Sequence, residues 1–127
     1  MSWTVIFHDE FDDEFSQLAE DLQDEVLAHA KVLAQFGPSL GRPTVDTLKA
    51  SRHKNMKELR FGWRSGVWRL AFAFDPNRQA ILLVGGDKVG ADQRRFYKRL
   101  IAIADDRYDA HLYALQKKES KHGKKTR

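Results

Sequence analysis

The chain has 127 residues, of which 42% are hydrophobic and 11% aromatic, which is enough apolar material for one folded core. It contains no cysteine, and this excludes disulfides, cysteine-ligated metal centres and cysteine nucleophiles. The net charge of +4 is unevenly distributed, because the first 30 residues hold nine acids and no Lys or Arg. The rest of the chain is therefore strongly basic and suited to a polyanion such as nucleic acid.

The N-terminal third predicts a strand followed by helical structure. Trp3–Phe7 is short and dense in aromatic and β-branched residues, as a strand requires. Apolar residues then recur every three or four positions over residues 11–36, which predicts an amphipathic helix. A break near Ala19–Asp21 would make it a helical hairpin, and the pattern leaves both possibilities open. Gly37 and Pro38 end the helical region, because Gly suits a helix cap and Pro cannot continue the helix.

The remaining elements follow a loop over residues 39–55. Three strands are predicted at Lys57–Arg64, Val67–Asp75 and Gln79–Gly85, of which the last is continuously apolar, as in a central strand covered on both faces. Helical spacing then covers Gln93–Leu115, and residues 116–127 are predicted to form a basic flexible tail.

This order predicts an α+β fold of a single domain over residues 1–115. An N-terminal strand and a helix or helical hairpin would pack on an antiparallel sheet, with a C-terminal helix. No stretch has the composition of a signal peptide or a membrane span, since the longest apolar run is Ala80–Val84. A soluble, intracellular protein is therefore expected.

The first two central strands predict a face that carries arginine. If Ser65 and Gly66 form a two-residue hairpin turn, the large apolar side chains of both strands gather on one face. Arg60 and Arg69 then lie on the other face as diagonal neighbours, about 7–8 Å apart. A phosphate could bridge two guanidinium groups at that distance. The alternative is that both arginines merely pair with Glu58, Asp75 or acids of the helix.

Most standard catalytic motifs are absent. There is no nucleophile elbow, no zinc-protease motif and no phosphate-binding loop, and the five histidines have no ligand spacing, so no metal is predicted. The remaining Lys, Arg and Tyr residues suit metal-free RNA cleavage, in which the ribose 2′-OH attacks the adjacent phosphorus. Neighbouring cations would lower the pKa of Tyr97 or Lys88 and prepare it for proton transfer.

Several short motifs together resemble a known family. They are GPSLGRP at residues 37–43, MKELR at residues 56–60, VWR at residues 67–69, GDK at residues 86–88 and the pair Phe96 and Tyr97. In combination, from Trp3 to about Leu115, the chain resembles the phage-derived Gp49-like group of HigB-type toxins, within the RelE/ParE toxin superfamily.

The resemblance implies a RelE-like fold and the toxin of a type II toxin–antitoxin pair. Such a toxin would be a cytoplasmic, metal-independent, ribosome-dependent mRNA endonuclease that needs no cofactor. Its partners would be the ribosome with its mRNA and a helix-turn-helix antitoxin of the HigA type.

The resemblance also implies site residues. The expected catalytic residues are Arg60, Arg69, Lys88 and Tyr97. The two arginines would contact the scissile phosphate, the lysine the phosphorane or the leaving oxygen, and the tyrosine would orient groups or transfer protons. The expected RNA-binding residues are Lys57, Arg64, Arg94 and Arg95. The strand alternation places Lys57 on the core-facing side, so a structural role for it is open.

Two other functions remain open at this stage. A ParE-like toxin would share the fold but inhibit DNA gyrase without nuclease chemistry, and fold alone does not separate the two. A non-catalytic nucleic-acid-binding accessory protein would need only the basic surface. The acidic N-terminal helix could repel RNA, or it could form part of an antitoxin interface.

Overall fold

The computed structural model describes residues 2–88 and 92–125, and their side chains as far as residue 118. The elements are β1 (Thr4–Phe7), α1 (Asp9–Ser16), α2 (Glu20–Phe36), a 3₁₀ turn (Gly37–Ser39), β2 (Val45–Thr47), β3 (Met56–Trp63), β4 (Gly66–Phe74), β5 (Gln79–Asp87) and α3 (Gln93–Lys125). The five strands form one sheet in the order β1-β5-β4-β3-β2. All neighbours are antiparallel except β1, which runs parallel to β5. The predicted α+β class is confirmed, with one parallel pair that the sequence pattern did not predict.

The N-terminal helical region is a hairpin. Helices α1 and α2 are separated by Gln17–Ala19, where Ala19 has an extended backbone and precedes the second helix. Gly37 ends α2 with a φ of 55°, and a Cβ there would lie 2.4 Å from the Trp3 ring. Only glycine fits this position, so the predicted end of the helical region is confirmed.

The sheet is covered on both faces, by α1 and α2 on one side and α3 on the other. The first core contains Phe11 and Leu33 of the helices against Phe72 and other strand residues. The second core packs Tyr108 and other residues of α3 against the strands. The middle of β5, residues 80–83, is fully buried, which confirms the prediction of a central strand with apolar side chains on both faces.

The register of β3 and β4 differs from the predicted one. Arg60 lies directly opposite Arg69, and Trp63 lies opposite Gly66. The two-residue turn is therefore Arg64 and Ser65, in which Arg64 has a φ of 54°. The expected turn and the diagonal arginine arrangement were wrong. The predicted faces were right, because this register shift moves every pair by two positions and leaves the alternation of side chains unchanged.

Two element boundaries also differ from expectation. The segment predicted as a loop over residues 39–55 contains the three-residue strand β2, which is too short to show alternation. Helix α3 runs to Lys125, ten residues beyond its predicted end at Leu115 and into the segment predicted as a tail. None of the helices described is both long and apolar enough to cross a membrane.

Arg107 of α3 ties this helix to α1. Arg107 donates to Glu10 at 3.0 Å, to Glu14 at 2.5 Å and to the backbone oxygen of Leu83 at 2.7 Å. Its side chain is only 11% exposed, so these bonds satisfy a guanidinium group that is largely removed from water. Two of the nine N-terminal acids therefore serve to dock the helices across the edge of the sheet.

Candidate active site

A cluster of three side chains forms where β3, β4 and the first turns of α3 meet. The Tyr97 hydroxyl donates a hydrogen bond to Glu58 Oε1 at 2.5 Å. Arg69 Nε donates to the same Tyr97 oxygen at 2.7 Å, and it lies 3.5 Å from Glu58 Oε1. Arg60 extends the cluster, because its Nε lies 3.9 Å from the other oxygen of Glu58. These four residues are called the Glu58–Arg69 cluster below.

The pleat of the strands positions this cluster. Glu58 and Arg60 are alternate residues of β3, and Arg69 lies opposite Arg60, so all three share the face covered by α3. Gly86 on β5 pairs with Arg69, and a Cβ at Gly86 would lie 3.1 Å from the Phe96 ring. The absence of a side chain there lets α3 come close to the sheet, which brings the tyrosine that follows Phe96 to the arginine.

The charge of the cluster is not balanced within it. Glu58 is 5% exposed and is one carboxylate shared between two guanidinium groups. Arg69 is 13% exposed and Arg60 33%, so both keep access to solvent. Each arginine carries five N–H donors, and besides the cluster they reach the backbone oxygens of Val67 and Pro43. Arg60 also lies 4.0 Å from Asp46, which pairs with Arg42 at 3.2 Å, so three guanidinium groups share two carboxylates and leave capacity to bind an anion.

The pKa of the Tyr97 hydroxyl is shifted in the direction opposite to the predicted one. Burial raises the pKa of its hydroxyl, and the hydrogen bond to the negatively charged Glu58 raises it further. Arg69 acts in the opposite direction but does not overcome these effects. The predicted lowering of the Tyr97 pKa was wrong, because the sequence pattern could not show that Tyr97 would be buried beside Glu58, 39 residues away. The hydroxyl stays protonated at neutral pH.

Lys88 lies at the same end of the sheet as the cluster. It follows β5 two residues after Gly86, the partner of Arg69. Its ammonium group donates to Gln93 Oε1, at the start of α3, at 3.0 Å. Lys88 is thus placed beside the cluster and is bonded to the helix that carries Tyr97.

Arg94 and Arg95 lie on the first turn of α3 and are exposed. Arg94 lines a groove on the side of the helix where Tyr97 lies. Arg95 lines a cavity of about 490 Å³ on the other side, together with Gly86 and Phe96. Arg94 and Arg95, two of the four residues predicted to bind the RNA backbone, therefore flank the cluster on opposite sides of the helix.

Lys57 and Arg64 lie away from the cluster. Lys57 donates to Thr47 Oγ1 at 3.0 Å, and as a neighbour of Glu58 in the pleat it points to the opposite face of the sheet. Arg64 occupies the hairpin turn, where it pairs with Asp21 at 3.4 Å and lies over the Trp63 ring. The structure thus brings together three of the eight predicted residues (Arg60, Arg69 and Tyr97), places three beside them (Lys88, Arg94 and Arg95) and two elsewhere.

Glu58 is the member of the cluster that the sequence offered only as an ion-pair partner of the arginines, and the structure shows that pairing. Its signal was present, since it lies between Lys57 and Arg60 in the MKELR segment and shares the arginine face by alternation. An acid two residues before Arg60, on the face that also carries Arg69, is the feature that points to it. Its contact with Tyr97, 39 residues away in sequence, is visible only in the folded chain.

The outer side of the cluster opens into a shallow groove of about 400 Å³. Arg60 and Arg69 line it together with Gly62, Val67 and the segment at residues 43–44. No heavy atom lies within 4 Å of the position that a Cβ of Gly62 would take, so this part of the surface is open. A phosphate with its sugar can therefore reach both guanidinium groups. Within residues 2–88 and 92–125, no group of His, Asp or Glu side chains is arranged to hold a metal ion.

Comparison with known proteins gives a consistent set of relatives. Residues 13–109 match the family model described as phage derived protein Gp49-like. Two Mycobacterium tuberculosis (strain H37Rv) proteins named as toxins are each 47% identical to this chain. HigB2 is matched over 79% of this chain and 50% of its own length, and HigB3 over 77% and 83%. The chain thus spans about half the length of HigB2.

Among solved structures, the fold is similar to that of a free-state arginine double mutant of the Escherichia coli toxin RelE. The TM-score is 0.55 and the identity 10%, and the match covers 80% of this chain and 96% of that one. At 10% sequence identity, this structural similarity shows only that the two chains share a fold. It agrees with the layered arrangement of a helical hairpin, a sheet and a C-terminal helix described above.

Proposed function

Because the chain belongs to the Gp49-like family and is a HigB-type member of the RelE toxin superfamily, we propose that it is the toxin of a type II toxin–antitoxin pair. We propose further that it is a metal-independent endoribonuclease that cleaves mRNA on the ribosome in the cytoplasm. The observation that carries the nuclease proposal is the Glu58–Arg69 cluster, which combines two solvent-accessible guanidinium groups with a tyrosine hydroxyl already hydrogen-bonded to a carboxylate.

The cluster supplies what cleavage by the ribose 2′-OH requires. The 2′-oxygen forms a bond to the adjacent phosphorus, and the bond from phosphorus to the 5′-oxygen breaks. The products are a 2′,3′-cyclic phosphate and a 5′-hydroxyl end, so no water, metal or oxidant is consumed. Arg60 and Arg69, which line the open groove, would neutralise the charge that develops on the phosphorane.

Proton transfer can use the existing hydrogen bonds. The 2′-OH would give its proton to the Tyr97 oxygen while Tyr97 passes its own proton to Glu58, along the bond that is already 2.5 Å long. The raised pKa of Tyr97 fits this role, since a permanently ionised phenol would have no proton to pass on. The ammonium group of Lys88 would protonate the leaving 5′-oxygen.

The partners follow from the same proposal. A toxin with a small, open site gains orientation of its substrate from the ribosome, which holds the mRNA in a fixed conformation. A cognate antitoxin, which we propose to be a helix-turn-helix protein of the HigA type, would neutralise the toxin in the cell.

The test is mapping of RNA ends in a bacterial translation extract with the wild type and Arg69→Ala. Loss of a preorganised donor to the phosphorane should lower the cleavage rate about 10²–10³-fold. The matched control is Arg78→Ala, which removes the same charge in the turn between β4 and β5, where Arg78 lies over the Trp3 ring. That variant should cleave like the wild type.

Intact mRNA with continuing translation in the presence of the wild type would reject the nuclease. A DNA gyrase supercoiling assay would then test for a ParE-like activity. Equal losses of activity in the Arg69 and Arg78 variants would instead indicate non-specific charge binding.

A further inference from the structure

A groove of about 830 Å³ adjoins the Glu58–Arg69 cluster along one side of α3. It lies between the segment that connects β2 to β3 and the first turns of the helix. Its floor is apolar, formed by Ala50, Ile101 and Ala102. Its volume lies within the range of sites that take small organic ligands, about 300–1,000 Å³. The groove is separate from the open surface over Arg60 and Arg69, because the two have no lining residue in common.

The groove is continuous with the candidate catalytic residues. Tyr97 lines it, and the hydroxyl of the same residue is bonded to Glu58 and Arg69. Gln93 also lines it, and its side-chain oxygen accepts from Lys88. A ligand in the groove would therefore lie next to the two groups proposed to move protons.

The rim of the groove carries two exposed cations and the acid Asp92, whose carboxylate accepts from the Arg94 backbone, while its floor is apolar. Arg94 and Lys98 are one helical turn apart on the rim, and both are exposed. Arg52 on the far wall is held by Asp105 and by two further acids of α3, so its charge is already compensated. An apolar floor suits a flat ring, and two exposed cations beside it suit phosphates, which is the chemistry of a nucleoside within an RNA strand.

We propose that this groove binds the RNA nucleoside next to the scissile phosphate and sets the base preference at that position. Ala50, Ile101 and Ala102 would contact the base, and Arg94 and Lys98 the adjoining phosphates. The inference rests on the proposed nuclease function, since a base in the groove has meaning only if the adjoining cluster acts on RNA.

The test fills the groove with one bulky side chain. Ala102 is exposed on the floor, so Ala102→Trp blocks the groove without disturbing the core. Ala110→Trp is the matched control, because it adds the same side chain at another exposed alanine of α3, outside the groove. In the end-mapping assay, Ala102→Trp should lower cleavage about tenfold and change the base preference at one position beside the cut. Ala110→Trp should match the wild type in both.

If Ala102→Trp cleaves with the wild-type base preference, the inference is overturned while the nuclease function stands. A second measurement does not depend on cleavage. It titrates a 2′-O-methyl RNA trinucleotide, which has no 2′-OH to attack, and follows the backbone amides by NMR.

We expect chemical-shift changes at Ala50, Ile101 and Ala102 in the wild type, and about tenfold weaker binding in Ala102→Trp. Unchanged amides at these three residues would overturn the inference. If the wild type fails to cleave any mRNA, the proposed function fails, and the titration then decides the groove by itself.

Discussion

Two polar groups of residues join helix α3 to the rest of the fold, one near each end of its packed length, and they differ in charge and in how fully their acceptors are paired. The Glu58–Arg69 cluster has two arginines for one carboxylate and borders open grooves. The second group, here called the locking network, contains Ser51, Arg52, His53, Asn55, Asp75, Asp105, Asp106, Tyr108, Asp109 and His111. It is rich in carboxylates, and donors from its own chain satisfy them.

The locking network joins three segments of the chain. Asp105 is buried and accepts from Ser51 Oγ at 2.5 Å and from the backbone of Arg52 at 3.2 Å. Asn55 donates to the Tyr108 hydroxyl at 2.9 Å, which ties the segment before β3 to the helix. His111 lies 2.8 Å from Asp75, which ties the helix to the end of β4.

The difference explains what each group can do. In the locking network the acceptors are matched by backbone and side-chain donors, so it holds α3 on the sheet and offers little to a ligand. In the Glu58–Arg69 cluster the donors outnumber the acceptors, and the excess faces solvent. A carboxylate network whose acceptors are paired therefore fixes the helix, and the fixed helix carries Tyr97 to the cationic end.

The largest effect on stability is expected at Asp75. Its side chain accepts from the backbone of Asn77 and Gln79, from the Gln79 side chain and from His111. Asp75→Asn should lower the free energy of unfolding by about 2 kcal/mol, because hydrogen bonds to a charged acceptor contribute more than neutral ones. Urea unfolding followed by circular dichroism measures this directly.

The same variant has a defined pH dependence. Burial alone would raise the pKa of Asp75, but the hydrogen bonds from His111 and Gln79 outweigh it, and the pKa is lowered. A carboxyl whose folded pKa is depressed adds stability above its unfolded value, near 3.9, and loses it as the pH falls through the folded pKa. The difference in the free energy of unfolding between the wild type and Asp75→Asn should therefore become smaller below about pH 4. If this difference in the free energy of unfolding stays constant down to pH 2, the hydrogen bonds to Asp75 do not stabilise its ionised form.

An intermediate effect is expected at the other end of the helix. Tyr97→Phe removes the hydroxyl that links Glu58 to Arg69. Cleavage should fall about 10²-fold, as for the loss of a proton-transfer group, while the free energy of unfolding changes by about 1 kcal/mol. Single-turnover rates on translating ribosomes, compared with urea unfolding, separate the two effects. If Tyr97→Phe loses as much unfolding free energy as Asp75→Asn and still cleaves RNA, the role of this cluster is structural and not catalytic.

The smallest effect is expected for Lys57, although it belongs to the same motif as Glu58. Its ammonium group bonds to Thr47 and points to the face opposite Arg69. Lys57→Met should therefore change the cleavage rate by less than about threefold, since a half-exposed hydrogen bond contributes modestly. A loss as large as that of Arg69→Ala would show that RNA reaches both faces of the sheet.

The sequence determined the elements and their faces. Helical spacing and strand alternation depend on neighbouring residues, so they indicated the helical region, the three long strands and the face that carries Arg60 and Arg69. Gly37 and Pro38 defined the end of the second helix for the same local reason. Their conformational limits apply wherever the chain places them.

Only the tertiary structure decided how these faces meet. A two-position change of register between β3 and β4 leaves the alternation of side chains unchanged. The sequence pattern therefore could not predict the turn at Arg64 and Ser65 or the direct pairing of Arg60 with Arg69. The parallel pairing of β1 with β5 joins segments about 75 residues apart, and no local signal encodes it. The partner of Tyr97 is likewise distant in sequence. Its pKa is raised because folding buries it beside Glu58, and burial is a property of the assembled chain.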